Sequence, residues 1–201
     1  FSPDSAFVAT ASYDGTSKIF NLKNGTTKEI RHYPGAELTK VTFSPDSVLV
    51  ATASGNGTVR IENLNSGATQ EIKHAPISDE VRWNVVEDIA FSPNGKFIAT
   101  ASQDGRAKIL SITNGLKIGK IAELKHKSGV LSVRFSPDSH LVVTASDDGT
   151  AKILDLRNSK MKTIDHEGYV TQAIFSPQGN FIATASTDFS SKVVKLKEAK
   201  Q

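Results

Sequence analysis

The chain has 201 residues, of which 38% are hydrophobic and 22% are charged, a composition typical of a globular protein with a buried core. No apolar run approaches the roughly 18 residues that a membrane-spanning helix requires. The absence of cysteine excludes disulfides, thiolate zinc sites and thiol nucleophiles, and it favours an intracellular, cytoplasmic protein. The net charge of +3 is too small, and the basic residues too scattered, to indicate nucleic-acid binding.

The triplet Phe-Ser-Pro begins five similar segments, and its copies are 42, 48, 44 and 40 residues apart. They start at Phe1, Phe43, Phe91, Phe135 and Phe175. Each triplet is followed by Asp, Asn or Gln and then by Ser or Gly. Because Pro fixes φ for the second position of a turn and the following residues are turn formers, the pattern predicts five reverse turns between strands.

A short apolar run ending in Ala-Thr-Ala-Ser, or a variant of it, follows each turn and predicts a strand that is buried on both faces. In four copies an Asp-Gly or Asn-Gly pair comes next, which predicts a type I′ hairpin with positive φ at both central residues. The fifth copy has Asp188-Phe189 instead. Because Phe is unfavourable at positive φ, we expect that turn to be strained or of another type.

A third strand, such as AKILDL, follows each hairpin, and in four copies a fourth and more polar strand, such as MKTID, comes after it. No segment of ten or more residues has a helical period. Four short strands in a repeat of about 44 residues are typical of a propeller blade. The sequence therefore predicts an all-β fold, a β-propeller of four-stranded antiparallel blades of which about five are visible.

Over the whole chain these features resemble the WD40-repeat β-propeller family, with repeats at about 1–32, 33–74, 75–126, 127–166 and 167–201. In that family a His, a Ser or Thr, the turn Asp and a Trp form a buried hydrogen-bonded set that ties the strands of a blade together. The resemblance assigns this structural role to Thr10, Asp14, Thr52, Thr100, Asp104, His126, Thr144, Asp148, His166, Thr184 and Asp188.

Two parts of this motif depart from the family pattern. His32 and His74 lie further upstream of the next Phe than His126 and His166 do, so we expect insertions to separate them from the first strand. No copy keeps the Trp. Its position is occupied by Phe20, Glu62, Leu110, Leu154 and Val194.

A catalytic or metal-binding role for these His, Asp and Thr residues is disfavoured. A group that recurs in nearly every blade and lies in its core satisfies buried polar atoms, whereas nucleophilic catalysis needs one accessible cleft. The sialidase-type Asp-box also fails to match, because here the Asp directly precedes the Gly. We therefore expect no enzyme activity, no cofactor and no metal.

A basic residue follows each turn acid by four positions and raises the alternative of a phosphate-binding ring. These residues are Lys18, Arg60, Lys108, Lys152 and Lys192. Because they should be spread around the propeller, nucleic acid is the weaker alternative.

The strand count is incomplete for five blades. Twenty strands are needed and about 18 are visible, since the first strand of copy one and the fourth strand of copy five are missing. We expect a segment of a larger propeller, most often seven-bladed, because open sheet edges invite aggregation. The alternative is a five-bladed ring with one thin blade.

The resemblance implies a scaffold that binds protein or peptide partners on its top face, where residues beside the first strand and before the turn acid are exposed. This predicts a binding surface of Tyr13, Glu37, Trp83, Glu87, Gln103, Asp147 and Tyr169. Trp83 lies in the long segment 74–88, and it is expected either to bind a partner or to cover a blade. The alternative function is a sensor segment of a larger signalling ATPase or kinase, and the chain is also compatible with a subunit of a larger assembly.

Overall fold

The computed structural model describes residues 1–32, 36–74 and 84–196. These residues form 18 β-strands in five separate antiparallel sheets, and none of them is helical. Accordingly, no described segment forms a helix that could cross a membrane. The predicted all-β fold is confirmed.

Each sheet is one blade, numbered in chain order. Blade 1 contains β1 (Phe7–Ala11), β2 (Thr16–Asn21) and β3 (Thr27–Arg31). Blade 2 contains β4 (Leu38–Phe43), β5 (Leu49–Ser54), β6 (Thr58–Asn63) and β7 (Thr69–Lys73). Blade 3 contains β8 (Val86–Phe91), β9 (Phe97–Ser102), β10 (Arg106–Thr113) and β11 (Lys117–Lys125). Blade 4 contains β12 (Val130–Phe135), β13 (Leu141–Ser146), β14 (Thr150–Asp155) and β15 (Met161–Asp165). Blade 5 contains β16 (Val170–Phe175), β17 (Phe181–Ser186) and β18 (Ser191–Lys195).

The strands of every blade pair in sequence order, which is the up-and-down arrangement that tight hairpins allow. Within the described residues, blade 1 has no strand equivalent to β4 and blade 5 has none equivalent to β7. This matches the strand count made from the sequence. Neighbouring blades pack in series through their inner strands, so the molecule is a partial β-propeller with its five blades in one row.

The core lies in the layers between adjacent blades. The strands β5, β9 and β13 are buried along almost their whole length, as the Ala-Thr-Ala-Ser runs predict. Each outer strand has one buried apolar residue within an otherwise mostly exposed segment, as Ile72 shows in β7. Leu154 packs in the layer between blades 3 and 4, so an aliphatic side chain fills the Trp position there.

The Asp-Gly and Asn-Gly turns differ from the type I′ prediction. Only the glycine has positive φ, as at Gly15 (φ 82°), and its N–H donates to the carbonyl three residues earlier. The acid before the glycine keeps negative φ because this bond centres the turn on Tyr13 and Asp14, and the glycine follows as the left-handed residue of a three-residue loop. The Asp14 side chain also accepts the Thr16 N–H (2.8 Å). Phe189, in the turn of the fifth copy, has φ 64°, which is the strained conformation that was one of the two expectations for this turn.

Candidate functional site

The predicted binding residues within the described chain lie on one edge of the blades, the edge that carries the Asp-Gly turns, which we call the top face. A recurring backbone hydrogen bond joins the turn of each of blades 2 to 5 to the segment before its inner strand. It runs from Gly55 N to Glu37 O (2.8 Å) in blade 2 and from Thr187 N to Tyr169 O (2.9 Å) in blade 5. Residues that are distant in sequence therefore meet at this edge.

A β-bulge in each first strand presents a side chain at the top face. The pairing register shifts between Val86 and Asp88, which leaves Glu87 outside the ladder. Bulges redirect side chains in this way. The Glu87 Oε1 atom accepts a hydrogen bond from Gln103 Nε2 (2.6 Å), so this predicted pair is in contact.

The two tyrosines of the predicted surface belong to the first and the last blade. Tyr13 precedes β2 in blade 1 and is 75% exposed, and Tyr169 precedes β16 in blade 5 and is 57% exposed. They therefore stand at the two ends of the row of blades. Trp83 lies outside the described residues.

Three acids occupy the top face between these tyrosines. Glu37, Glu87 and Asp147 belong to blades 2, 3 and 4, and within the described residues none of them forms a salt bridge. Burial, followed by the charge of Asp148, raises the pKa of the Asp147 carboxyl. The top face therefore presents acidic side chains whose charge is not compensated by a nearby cation.

A His, Thr and Asp set recurs below the top face in blades 3, 4 and 5. In blade 4, His126 Nε2 lies 2.8 Å from Thr144 Oγ1 and His126 Nδ1 lies 3.0 Å from Asp148 Oδ2. Because a carboxylate can only accept, Nδ1 carries the proton and Nε2 of the neutral imidazole accepts from the hydroxyl. The equivalent contacts join His74 to Thr100 and Asp104, and His166 to Thr184 and Asp188.

In blade 4, the surroundings of this set hold the pKa values of both the imidazole and the acid below their usual values. Burial lowers the pKa of His126, and although Asp148 opposes this, the pKa stays below its usual value. Burial raises the pKa of Asp148, but hydrogen bonds from Thr150, the Lys127 N–H and His126 outweigh burial and bring the pKa to about 2. The set is thus a buried, fully bonded polar contact.

Each of these histidines connects two blades. The N–H of His74 donates to Gly57 O (2.8 Å) in blade 2, whereas its ring bonds Thr100 and Asp104 in blade 3. His126 and His166 repeat this arrangement with Gly105 and Gly149. The resemblance placed the hydrogen-bonded set within one blade, but here it also joins adjacent blades.

His32 and His74 take part in this arrangement despite the expected insertions. His32 Nε2 lies 2.6 Å from Thr52 Oγ1, and the His32 N–H donates to Gly15 O (3.1 Å). In the sequence, these histidines are recognised by their distance from the preceding turn glycine, which is 17 residues for His32, His74 and His166. The distance to the next Phe varies because the segment after the histidine varies in length.

Blade 2 has Asn56 where the other blades have the turn acid. Asn56 Oδ1 accepts from Thr58, as the acids do from the same position, but no carboxylate faces His32. Burial, with the nearby Arg60 charge, lowers the pKa of His32 to about 4.

Blade 1 has the Thr and Asp positions without a histidine contact in the described residues. Thr10 Oγ1 accepts from Lys18 N (3.4 Å), and Asp14 accepts both the N–H and the hydroxyl of Thr16.

Comparison with protein-family models agrees with this geometry. The model described as "WD domain, G-beta repeat" matches residues 1–21, 119–155 and 158–194. The model described as "Anaphase-promoting complex subunit 4 WD40 domain" matches residues 41–124, so the two together match most of the chain. The chain belongs to the WD40-repeat family. A search of curated proteins finds no significant match.

WD40 repeats generally mediate protein–protein interactions as scaffolds and are typically non-enzymatic. The histidine sets of this WD40 chain fit that role, because the side chains of His74, His126 and His166 are fully buried and no substrate can reach them. The described residues also contain no group of three or more His, Cys, Asp or Glu side chains able to hold a metal ion.

The basic residues after the turn acids have a structural partner in four of the WD40 blades. Each donates to a backbone carbonyl at or next to the end of the preceding blade's outer strand. The pairs are Arg60 with Arg31 O, Lys108 with Lys73 O, Lys152 with Lys125 O and Lys192 with Asp165 O. These contacts spread the cations around the rim and give no convergent phosphate site.

Proposed function

We propose that this WD40 chain is a non-enzymatic platform that binds a protein partner on its top face. The observation that carries the proposal is the row of acids Glu37, Glu87 and Asp147, which have no cationic partner in the described residues. The exposed Tyr13 and Tyr169 stand on either side of this row. Aromatic side chains that are free of partners are common anchors at protein interfaces.

The charge of the top face favours a partner segment that contains Lys or Arg. Gln103 holds the Glu87 carboxylate in place by donating a hydrogen bond, so Glu87 loses little side-chain freedom when it binds. A cation beside Asp147 would also lower the raised pKa of that carboxyl, which favours binding of a positive charge.

A pull-down from the source cells tests the proposal. We expect the variant Tyr13→Ala/Tyr169→Ala, and separately Glu37→Gln/Glu87→Gln/Asp147→Asn, to lose partners that the wild type retains. Trp83→Ala belongs to the same comparison, because the sequence predicts that Trp83 contributes to this surface.

The matched control changes exposed apolar residues of the outer strands, Ile121→Ala/Met161→Ala. Equal recovery of the same proteins by the wild type, the top-face variants and this control would overturn the proposal.

The family model that matches residues 41–124 is named for a subunit of the anaphase-promoting complex, which supports a second part of the proposal, that this chain works within a larger assembly. We further propose that the five blades belong to a larger propeller. Support comes from the apolar side chains on the free sheet of blade 5, where Phe181 and Val193 are exposed.

A further inference from the structure

The opposite edge of the blades, which carries the Phe-Ser-Pro turns and is called the bottom face here, contains two open clefts between neighbouring blades. One has a volume of about 440 Å³, and its lining from blades 1 to 3 includes Pro3, Phe43, Pro45 and Phe91. The other has a volume of about 480 Å³ and is lined by the equivalent residues of blades 3 to 5. The walls are mostly apolar, and the prolines Pro3, Pro45, Pro93, Pro137 and Pro177 stand exposed around them.

Arg134 is the residue common to both clefts. It lies on β12 and contacts Asp88 of β8, which also receives Lys40 Nζ from β4 at 3.1 Å. This Asp88 cluster of two cations and one buried acid has a net charge of +1. No acidic side chain belongs to the described lining of either cleft.

The guanidinium of Arg134 keeps donors available. Its hydrogen bonds within the described residues, to Asp88 and to Val133 O (2.7 Å), both use Nη1. Nε and Nη2 can therefore form a two-pronged contact with a further carboxylate, which is the geometry that arginine favours.

The acids nearest the rim of these clefts are already engaged by their own turns. Each of these acids accepts a hydrogen bond from the Ser two residues before it and from the backbone N–H two residues after it. The acids are Asp4, Asp46 and Asp138. These carboxylates remain charged, but within the described residues none of them forms a salt bridge with Lys40 or Arg134.

We propose that the bottom face binds a peptide segment in which an Asp or Glu is flanked by large apolar side chains. The carboxylate would contact Nε and Nη2 of Arg134, and the apolar side chains would enter the clefts on each side. Ile174, which is 48% exposed in the second cleft, would be covered on binding. This surface is separate from the acidic top face, and the two prefer partners of opposite charge.

Selection from a displayed library of random seven-residue peptides on the immobilised chain tests the proposal. We expect enriched peptides to contain Asp or Glu between Leu, Ile, Phe or Met. For one such synthetic peptide, changing its acid to the amide should weaken binding about tenfold, the size expected for a charge-assisted hydrogen bond.

Two variants locate the site. Arg134→Gln/Asp88→Asn removes one charge of each sign, so no buried acid is left with a missing partner. This double variant should weaken binding of the peptide about tenfold. Ile174→Asp should do the same, whereas Ile121→Asp, at a position of equal exposure (48%) on the outer strand β11, should have no effect. Circular dichroism confirms that each variant folds.

The proposal is overturned if the enriched peptides lack acids, or if both site variants bind the peptide as tightly as the wild type does. It is also overturned if the selection enriches no acidic peptide and single-stranded RNA, added as a competitor, displaces the peptides that were enriched. The top-face variants should leave this binding unchanged, so failure here is distinguishable from failure of the proposed function.

Discussion

At the scale of single residues, the exchange of an acid for Asn56 leaves blade 2 with an incomplete histidine contact. His32 retains Thr52 as a partner but has no hydrogen bond to a carboxylate in the described residues, and its pKa of about 4 reflects burial and the Arg60 charge, which outweigh the opposing charge of Glu71. A histidine whose folded pKa lies below its unfolded value near 6.5 favours unfolding as it is protonated. His32 therefore removes stability as the pH falls from about 6.5 towards 4.

The substitution Asn56→Asp should raise the pKa of His32 above about 4, because a carboxylate would then face Nδ1 as Asp148 faces His126. It should also increase the free energy of unfolding at pH 7 by about 1 kcal/mol, the usual contribution of one such hydrogen bond. An NMR titration of the ring proton and urea unfolding measure the two effects.

Asn94→Asp is the matched control for this change, because Asn94 accepts from its own turn Ser92 as the other turn acids do from theirs. The His32 pKa should not respond to it. A pKa of His32 that stays the same in Asn56→Asp would contradict the explanation given for its low value.

At the scale of elements, the inner strands β4, β8 and β12 are joined by charge as well as by apolar packing. Asp88 is buried on β8, and its carboxylate accepts from Val133 N (3.2 Å) in addition to contacting Lys40 and Arg134. Three consecutive blades thus depend on one side chain. Removing the acid from such a cluster leaves two cations close together, and because their side chains are 41% and 35% exposed, water screens part of their repulsion.

We expect Asp88→Asn to lower the free energy of unfolding by about 1 kcal/mol, because the two cations that lose their partner are partly exposed and can be hydrated. Urea unfolding followed by circular dichroism measures this loss. Adding Arg134→Gln should restore part of the stability because the charges are again closer to balance. Asp165→Asn, at an exposed position, should change stability by less than about 0.5 kcal/mol.

The sequence predicted the strands better than the contacts between them. Runs such as FIATAS are buried on both faces as expected, because hydrophobicity and β-propensity act locally. The turn type was wrong because each turn is centred one residue earlier, with the acid as its second central residue, and the Asp-Gly pair alone does not reveal this shift. The Asp88 cluster could not be predicted, since its members lie about 45 residues apart and meet only when three blades pack.

The candidate site was predictable in part, for a related reason. The positions before the turn acids and before the inner strands follow from the repeat, so the top-face location of Glu37 and Asp147 could be read from the spacing. The separation of Tyr13 from Tyr169 could not, because it depends on how the blades are arranged in a row. The bottom clefts were missed because their Phe and Pro residues read only as turn formers.

At the scale of the whole molecule, the two end blades differ from the three central ones. Val193 of blade 5 is 71% exposed, whereas Ile153, at the equivalent position in blade 4, is buried. Phe181 lies on the same side of the sheet and is also exposed. A contiguous apolar sheet surface of this kind promotes association.

A preparation of residues 1–201 alone should therefore self-associate at micromolar concentration, and Val193→Lys should reduce that association by placing a charge on the free sheet. Sedimentation velocity measures the distribution of mass. Met161→Lys adds the same charge on the outer strand β15 and should leave the association unchanged. A wild-type chain that sediments as a monomer and unfolds cooperatively would argue against the larger propeller.

The histidines that join neighbouring blades determine which piece of this chain could be exchanged as a module. A module cut at the sheet boundaries, such as residues 86–125, would leave His74 behind and lose its contacts with Thr100 and Asp104. A module that begins at His74 and ends before His126 carries its own imidazole, and for this histidine contact it needs from its neighbour only a turn-glycine carbonyl, which each of blades 1 to 4 supplies. Blade transplantation between proteins of this kind should therefore be designed from histidine to histidine.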